Sequence, residues 1–292
     1  MGKPLFLFLF KLASHLPLSV LHRLGVALGW ATYLLSGRYA DRLRENLHNA
    51  FPDLDEDGFR RALRSNVTEM GKSLTELPWL WRRPLATVTH SVRQVWGFEH
   101  VEAALRDGKG LIVLAPHLGC FEMIGLYVAA RTPMTCMYRI PRMLWLDSVI
   151  RGGRERGQMK LAPADVSGVR AMLKALKRGE VVGILPDQAP GKGEGEWVEF
   201  FGRPAYTMTL VERLAQTTGA AVVVSYALRL PKGDGYELHF TPFAPVEGES
   251  YLRTMNCAVE DAVRVCPEQY LWNYNRYKTP AGAEPSPANE EA

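Results

Sequence analysis

The stretch LIVLAPHLGCFEM spans Leu111–Met123. Its continuous apolar run, Leu111–Ala115, fits a short strand buried on both faces. Pro116 and Gly119 then favour a turn, and Phe121–Arg131 has the spacing of a helix. Strand, turn and helix follow one another, with His117 in the turn and Glu122 on the first turn of the helix. In open α/β sheets, ligands bind beyond the carboxyl ends of the strands. A second run, EVVGILPD, repeats the pattern and ends at Asp187. Two strand ends carrying titratable groups make a candidate active site. His117 and Glu122 are five residues apart, so on one continuous helix they would face about 140° apart. They meet only if His117 precedes the helix. Glu122 is then expected to hydrogen-bond the imidazole and fix its tautomer, giving a general base without a covalent nucleophile. Spacing alone leaves open a histidine that is merely satisfied at a strand end, because H-x4-E also occurs by chance.

Outward from this stretch the chain alternates. Helices are expected over Ala40–Ala50, Asp55–Leu77 (with Asp55 as cap), Leu144–Arg156, Ser167–Arg178, Tyr206–Thr217 (stopped by Gly219) and Ser250–Val265. Strands are expected at MTCMYR, EVVGILPD, AAVVVSYAL and YELHFTPF. Alternation of this kind predicts an α/β fold with a mostly parallel central sheet covered by helices. GKGEGEWVEFFGRPAYT reads either as a glycine-rich loop bearing Trp197, Phe200 and Phe201, serving as a lid or an acyl-chain wall, or as a surface hairpin whose aromatics join the core. It lacks the G-x-x-x-x-G-K-[ST] phosphate loop.

With 292 residues, 47% of them hydrophobic and 23% charged, the chain can bury a substantial core. Cys120, Cys136, Cys257 and Cys266 form no C-x-x-C pair and read as free thiols. PLFLFLFKLASHLPLSVLHRLGVALGWATYLL, Pro4–Leu35, is apolar but is interrupted by Lys11, His15, His22 and Arg23. It falls short of the roughly 18 uncharged residues of a clear span, and no small-residue cleavage site marks a signal peptide. A membrane-anchoring helix over residues 1–37 is expected, either spanning or lying in the interface; a buried helix pair is the alternative. Arg38, Arg42 and Arg44 would keep the following domain, residues 38–280, on the cytoplasmic side. The acidic, proline-rich residues 281–292 are expected to be disordered. The net charge is +4, yet residues 139–178 hold ten Lys/Arg against three acids. Such a patch suits lipid phosphates, an anionic bilayer or an acidic carrier protein, or is simply a solvated helix face.

HLGCFE, LPDQAPGKGEGEWVEFFGRPAYT and ERLAQTTGAAVVV together resemble the late acyltransferases of lipid A biosynthesis, the lauroyl and myristoyl transferases. NLHNAFPDL and QYLWNYNRYKTP are similar to that family's flanking segments. The resemblance implies a glycerol-phosphate-acyltransferase-like fold. It also implies an enzyme of the Gram-negative inner membrane, at its cytoplasmic face, that moves an acyl chain from acyl carrier protein to a hydroxyl of a lipid A precursor, for lipopolysaccharide or lipooligosaccharide. The family's H-x4-D/E motif falls on His117 and Glu122, its Asp-Gln pair on Asp187 and Gln188, and its arginine on Arg154, with Arg139 second. The substrate-binding set is thus Arg139, Arg154, Asp187 and Gln188.

The chemistry suits these residues. A thioester donor is already activated, so one base acting on the alcohol suffices. No cofactor or metal is expected: a zinc site built on His117, Cys120 and Glu122 lacks a second histidine cluster. Nucleic acid is not expected as a partner: no RNP-like motif or zinc spacing accompanies the basic window, and the apolar N-terminal segment argues the other way. Two alternatives remain at this level: a related acyltransferase acting on another glycolipid or an aminolipid, and a non-catalytic membrane lipid-binding protein.

Overall fold

A computed structural model describes residues 2–191 and 193–287. The chain opens with α1 (Lys3–Ala13), α2 (Leu18–Leu35), α3 (Gly37–Ala50), α4 (Glu56–Thr75), α5 (Leu77–Arg82) and α6 (Leu85–His90). It continues through β1 (Val92–Trp96), α7 (Phe98–Asp107), β2 (Leu111–Leu114), α8 (Phe121–Ala129) and β3 (Met134–Tyr138). Next come α9 (Asp147–Arg154), β4 (Met159–Pro163), α10 (Val166–Lys177) and β5 (Val181–Ile184). The last elements are β6 (Gly195–Phe200), β7 (Arg203–Met208), α11 (Leu210–Thr218), β8 (Ala221–Arg229), β9 (Tyr236–Phe243) and α12 (Tyr251–Val265).

Seven strands form one sheet in the order β1-β9-β8-β2-β5-β3-β4. Every neighbouring pair is parallel except β8–β9. The expected α/β class is therefore the observed one. Period-two alternation divides the core. Leu111 and Val113 of β2 face α5–α8, whereas Ile112 and Leu114 face the layer of α3, α10, α11 and α12. Both faces are covered, which is why β2 and β5 read as unbroken apolar runs.

The sequence reading differs from the structure in particular places. β1, α7 and β4 were not expected. Tyr206 and Thr207, expected to begin a helix, lie in β7, where Tyr206 pairs with Trp197 of β6. The helix starts only at Leu210. β6 and β7 form a hairpin, and Phe200 and Phe201 are buried in the core, which is the second of the two readings offered for that segment. Leu144–Leu146 is a 3₁₀ turn before α9. Asp55 does cap α4, accepting from the Gly58 N–H at 2.7 Å.

α2 is long and apolar enough to cross a membrane by length and composition alone. It is nevertheless docked on the body, crossing α4 so closely that a Cβ on Gly71 would sit 1.9 Å from the Gly25 carbonyl oxygen. His22 of α2 reaches Glu76 at 3.3 Å. Of the expected disordered tail, residues 288–292 lie outside the described residues. Residues 281–287 run back over the hairpin, where Trp197 Nε1 donates to the Glu284 carbonyl at 3.0 Å.

Candidate functional site

The turn after β2 is fixed by backbone bonds on two sides. Gly119 N–H donates to the Gln269 carbonyl at 3.0 Å and Cys120 N–H to the Ala227 carbonyl at 2.7 Å. Leu271 N–H closes on the His117 carbonyl at 3.1 Å. Gly119 has φ +60°, and a Cβ there would lie 2.0 Å from the Ala227 oxygen, so only glycine fits. This turn presents His117 just before α8, as the sequence requires.

The imidazole's carboxylate partner is not Glu122. It is Asp187, beyond the end of β5: His117 Nδ1 lies 2.9 Å from Asp187 Oδ1, and the His117 backbone N–H donates to Oδ2 at 2.9 Å. Asp187 is buried. Burial works to raise its pKa, but the charge and hydrogen bonds of His117 outweigh that and hold the carboxyl below its ordinary value. A carboxylate at Nδ1 fixes the proton there and leaves the Nε2 lone pair free to accept. Gln188 Nε2 sits 3.1 Å from His117 Nε2, positioned to donate to that lone pair. Asp187 and Gln188, expected to bind substrate, thus bracket the imidazole.

The hydrogen bond expected between Glu122 and His117 is not formed. Glu122 starts α8 and turns instead to Arg154, at the end of α9. Arg154 Nε donates to both carboxylate oxygens at 2.9 and 3.0 Å, and Nη2 also contacts Oε1. Trp81 Nε1 donates to Glu122 at 3.2 Å from the other side. Although His117 precedes the helix, the Glu122 side chain leaves α8 toward Trp81 and α9 and not back toward the turn. Burial disfavours the charged guanidinium, but Glu122 outweighs it and raises the Arg154 pKa. Arg139 lies apart, exposed just after β3.

His117, Glu122, Arg154 and Gln188 line one cavity of about 520 Å³, which also includes Arg139, while Asp187 supports the imidazole from behind. Away from His117 its wall is apolar, built from Ile124, Leu126, Met134, Met159 and Leu161. Two glycines shape that wall. A methyl on Gly183 would meet Cys136 Sγ at 2.5 Å and Met134 Cε at 2.6 Å, and one on Gly125 would meet Met159 Cε at 3.0 Å. The site therefore joins titratable groups to an apolar lining, which suits a ligand with a hydrocarbon tail.

Sequence similarity agrees with that chemistry. Residues 2–279 match the family model described as bacterial lipid A biosynthesis acyltransferase. The chain belongs to that family. It is 30% identical over 283 residues to the lipid A biosynthesis lauroyltransferase of Escherichia coli (strain K12), covering 94% of this chain and 90% of that one. It is 27% identical over 268 residues to the palmitoleoyltransferase of the same organism, covering 90% and 87%. A Haemophilus influenzae lipid A biosynthesis acyltransferase is 30% identical over 182 residues, covering 60% of this chain and 56% of its own length. The protein is therefore an acyltransferase of lipid A biosynthesis. The relatives carry different acyl names, so similarity does not select a chain length.

Several residues of the site escaped the sequence reading. Trp81 was hidden in the apolar run LPWLW. Tyr270 and Arg276 sit in QYLWNYNRY, noted only as a flanking resemblance. Burial, and then Asp187, push the Tyr270 hydroxyl pKa well up. Arg276 is buried and holds β7 through the Tyr206 carbonyl at 2.7 Å and Thr207 Oγ1 at 2.8 Å. No local pattern in the sequence links these positions to His117.

Proposed function

We propose that this acyltransferase moves a fatty acyl chain from acyl carrier protein to a hydroxyl of a lipid A precursor, with His117 as general base and Asp187 as its orienting carboxylate. The observation that carries the reading is the imidazole held by Asp187 with Nε2 directed at a donor, in a cavity with a largely apolar lining. The acceptor hydroxyl displaces the Gln188 amide from Nε2 and gives up its proton as its oxygen attacks the thioester carbon. The C–S bond then breaks, and the carrier thiolate takes the proton from His117, so no acyl-enzyme forms. The displaced Gln188 N–H is free to donate to the oxyanion of the tetrahedral intermediate. Backbone donors in the turn are a poorer source, because the N–H groups of Leu118, Gly119 and Cys120 are already bonded.

In this reading Glu122 keeps Arg154 extended across the cavity, where its guanidinium meets an anionic group of donor or acceptor. The exposed cations of α10, Arg170, Lys174 and Lys177, suit the acidic surface of a carrier protein. The N-terminal helices attach the enzyme to the cytoplasmic face of the inner membrane. The charged helix α4, packed along α2, argues for a helix pair lying in the interface over a lone span. The decisive assay supplies acyl carrier protein loaded with a fatty acid together with a lipid A precursor. His117→Ala is expected to lose turnover by roughly 10²–10⁴ while remaining folded. Near-normal turnover by that variant would overturn the assignment of the base.

A further inference from the structure

We infer that the segment Arg139–Leu146, RIPRMLWL, forms with α1 a single face that docks on an anionic lipid bilayer, and that the cavity opens beside it. The segment follows β3 and leaves its aliphatic side chains in solvent: Ile140 is 56% exposed, Met143 56% and Leu144 74%. α1 buries none of its residues, and its Phe8 is 63% exposed. The two surfaces are joined, since the rings of Phe6 and Trp145 meet edge to face at 5.1 Å. Neither apolar patch is covered by another part of the described chain.

Charge identifies what covers them. Arg139 and Arg142 flank Ile140 and make no salt bridge among the described residues, whereas Arg151 and Arg154 further on are paired with Glu155 and Glu122. The nearest acid in sequence, Asp147, accepts from the Tyr138 hydroxyl at 2.8 Å. Exposed aliphatics, a tryptophan and unpaired arginines on one short segment are the composition of an element that sinks its apolar side chains to the acyl boundary while its cations meet lipid phosphates. Arg139 and the exposed Val166 also line the cavity, so its rim adjoins this face. A lipid acceptor would then reach His117 by moving laterally, with its chains still in the bilayer. That consequence rests on the acceptor proposed above; the affinity for lipid itself is measured without turnover.

The test is sedimentation of the full-length protein with vesicles of phosphatidylethanolamine and phosphatidylglycerol, and with vesicles of phosphatidylcholine. Met143→Asp/Leu144→Asp, with α1 and α2 intact, is expected to weaken partition to the anionic vesicles about tenfold or more. Arg139→Gln/Arg142→Gln is expected to erase most of the preference for anionic over neutral vesicles. Val246→Asp, an exposed apolar position in the loop after β9, serves as the control and is expected to change neither. A solvatochromic fluorophore on Leu144→Cys should shift to the blue when anionic vesicles are added, which reads the contact without removing it. Partition within twofold of wild type for the double aspartate variant, or no spectral shift at position 144, overturns the proposal. So does a concentration-dependent self-association that disappears in the double aspartate variant while lipid partition does not, since a second copy of the chain would then be the occupant.

Discussion

Among the buried carboxylates that hold basic partners in this fold, Asp187 and Glu76 do opposite things. Asp187 holds His117, whose second nitrogen lines the cavity. Glu76 holds Arg229, and every direction around it is taken: Arg229 Nε at 3.0 Å, Nη2 at 2.7 Å, His22 at 3.3 Å and the Tyr236 hydroxyl at 3.0 Å. The residue chemistry is alike, but only in the first pair does a basic nitrogen, His117 Nε2, face a side-chain amide at the cavity that a substrate hydroxyl can displace. That atom separates a reactive centre from a structural node. The two are connected, because Arg229 Nη2 also donates to the Gly119 carbonyl at 2.9 Å and so helps seat the turn that carries His117.

The sharpest way to break the comparison is to neutralise each carboxylate of the site in turn. Asp187→Asn leaves a neutral group at Nδ1 that does not enforce the tautomer, and is expected to lower kcat by roughly 10²–10⁴ with little loss of fold. Glu122→Gln leaves the imidazole untouched and loosens Arg154, so about tenfold or less is expected, mainly in KM, growing with salt as the guanidinium is screened. Steady-state kinetics on both variants decides. A larger kcat loss in the Glu122 variant would return the orienting role to Glu122.

The structural node predicts the opposite signature. Glu76→Gln leaves the Arg229 charge buried without its partner, which costs about 3–5 kcal/mol, read from a denaturant midpoint at unchanged slope. The surviving folded fraction should still turn over substrate. Acid gives a second reading. Burial works to raise the Glu76 pKa, but Arg229, with help from His22, holds it down to about 2, below its ordinary 4.5. A depressed pKa means that the contribution to stability is complete above the unfolded value and is lost as pH falls from about 4.5 toward 2. Midpoints measured through that window should fall less steeply for Glu76→Gln than for wild type.

The legibility of these two regions in the sequence differs for a physical reason. His117 and Asp187 each follow a strand, where local apolar runs and turn residues announce the position; Glu122 lies on the first turn of the next helix, and Gln188 was legible only through the family resemblance. The α/β class was readable from the same runs, because a parallel sheet covered on both faces leaves continuous apolar strands. Which carboxylate reaches the imidazole was not readable. That depends on β2 and β5 lying side by side in register, Leu114 opposite Ile184, and on the side-chain direction of α8. The Glu76–Arg229 pair joins residues 153 positions apart, and neither has a local signature. β1 and β4 escaped for a related reason: with exposed and partly buried residues along them, they lack the unbroken apolar run of β2 and β5.

The smallest expected effect concerns Cys120, three residues from His117, where a thiol invites a ping-pong mechanism. Its surroundings place it with the node and not with the reactive centre. It is buried, its backbone N–H is spent on the Ala227 carbonyl, and burial followed by the Glu76 carboxylate pushes its thiol pKa well up. A nucleophilic cysteine needs the reverse, a thiolate favoured by nearby positive charge and open to the substrate. Transfer from one thioester to another would also gain no activation. Cys120→Ser and Cys120→Ala are therefore expected to keep most of the rate, within about threefold, since neither the base nor its orienting carboxylate is touched. Incubating the wild-type enzyme with acyl donor alone, quenching and weighing the intact protein gives the independent check. No stoichiometric adduct is expected. An acyl adduct that disappears in the Cys120 variants would move this thiol into the chemistry and remove the distinction between the open pair and the closed one.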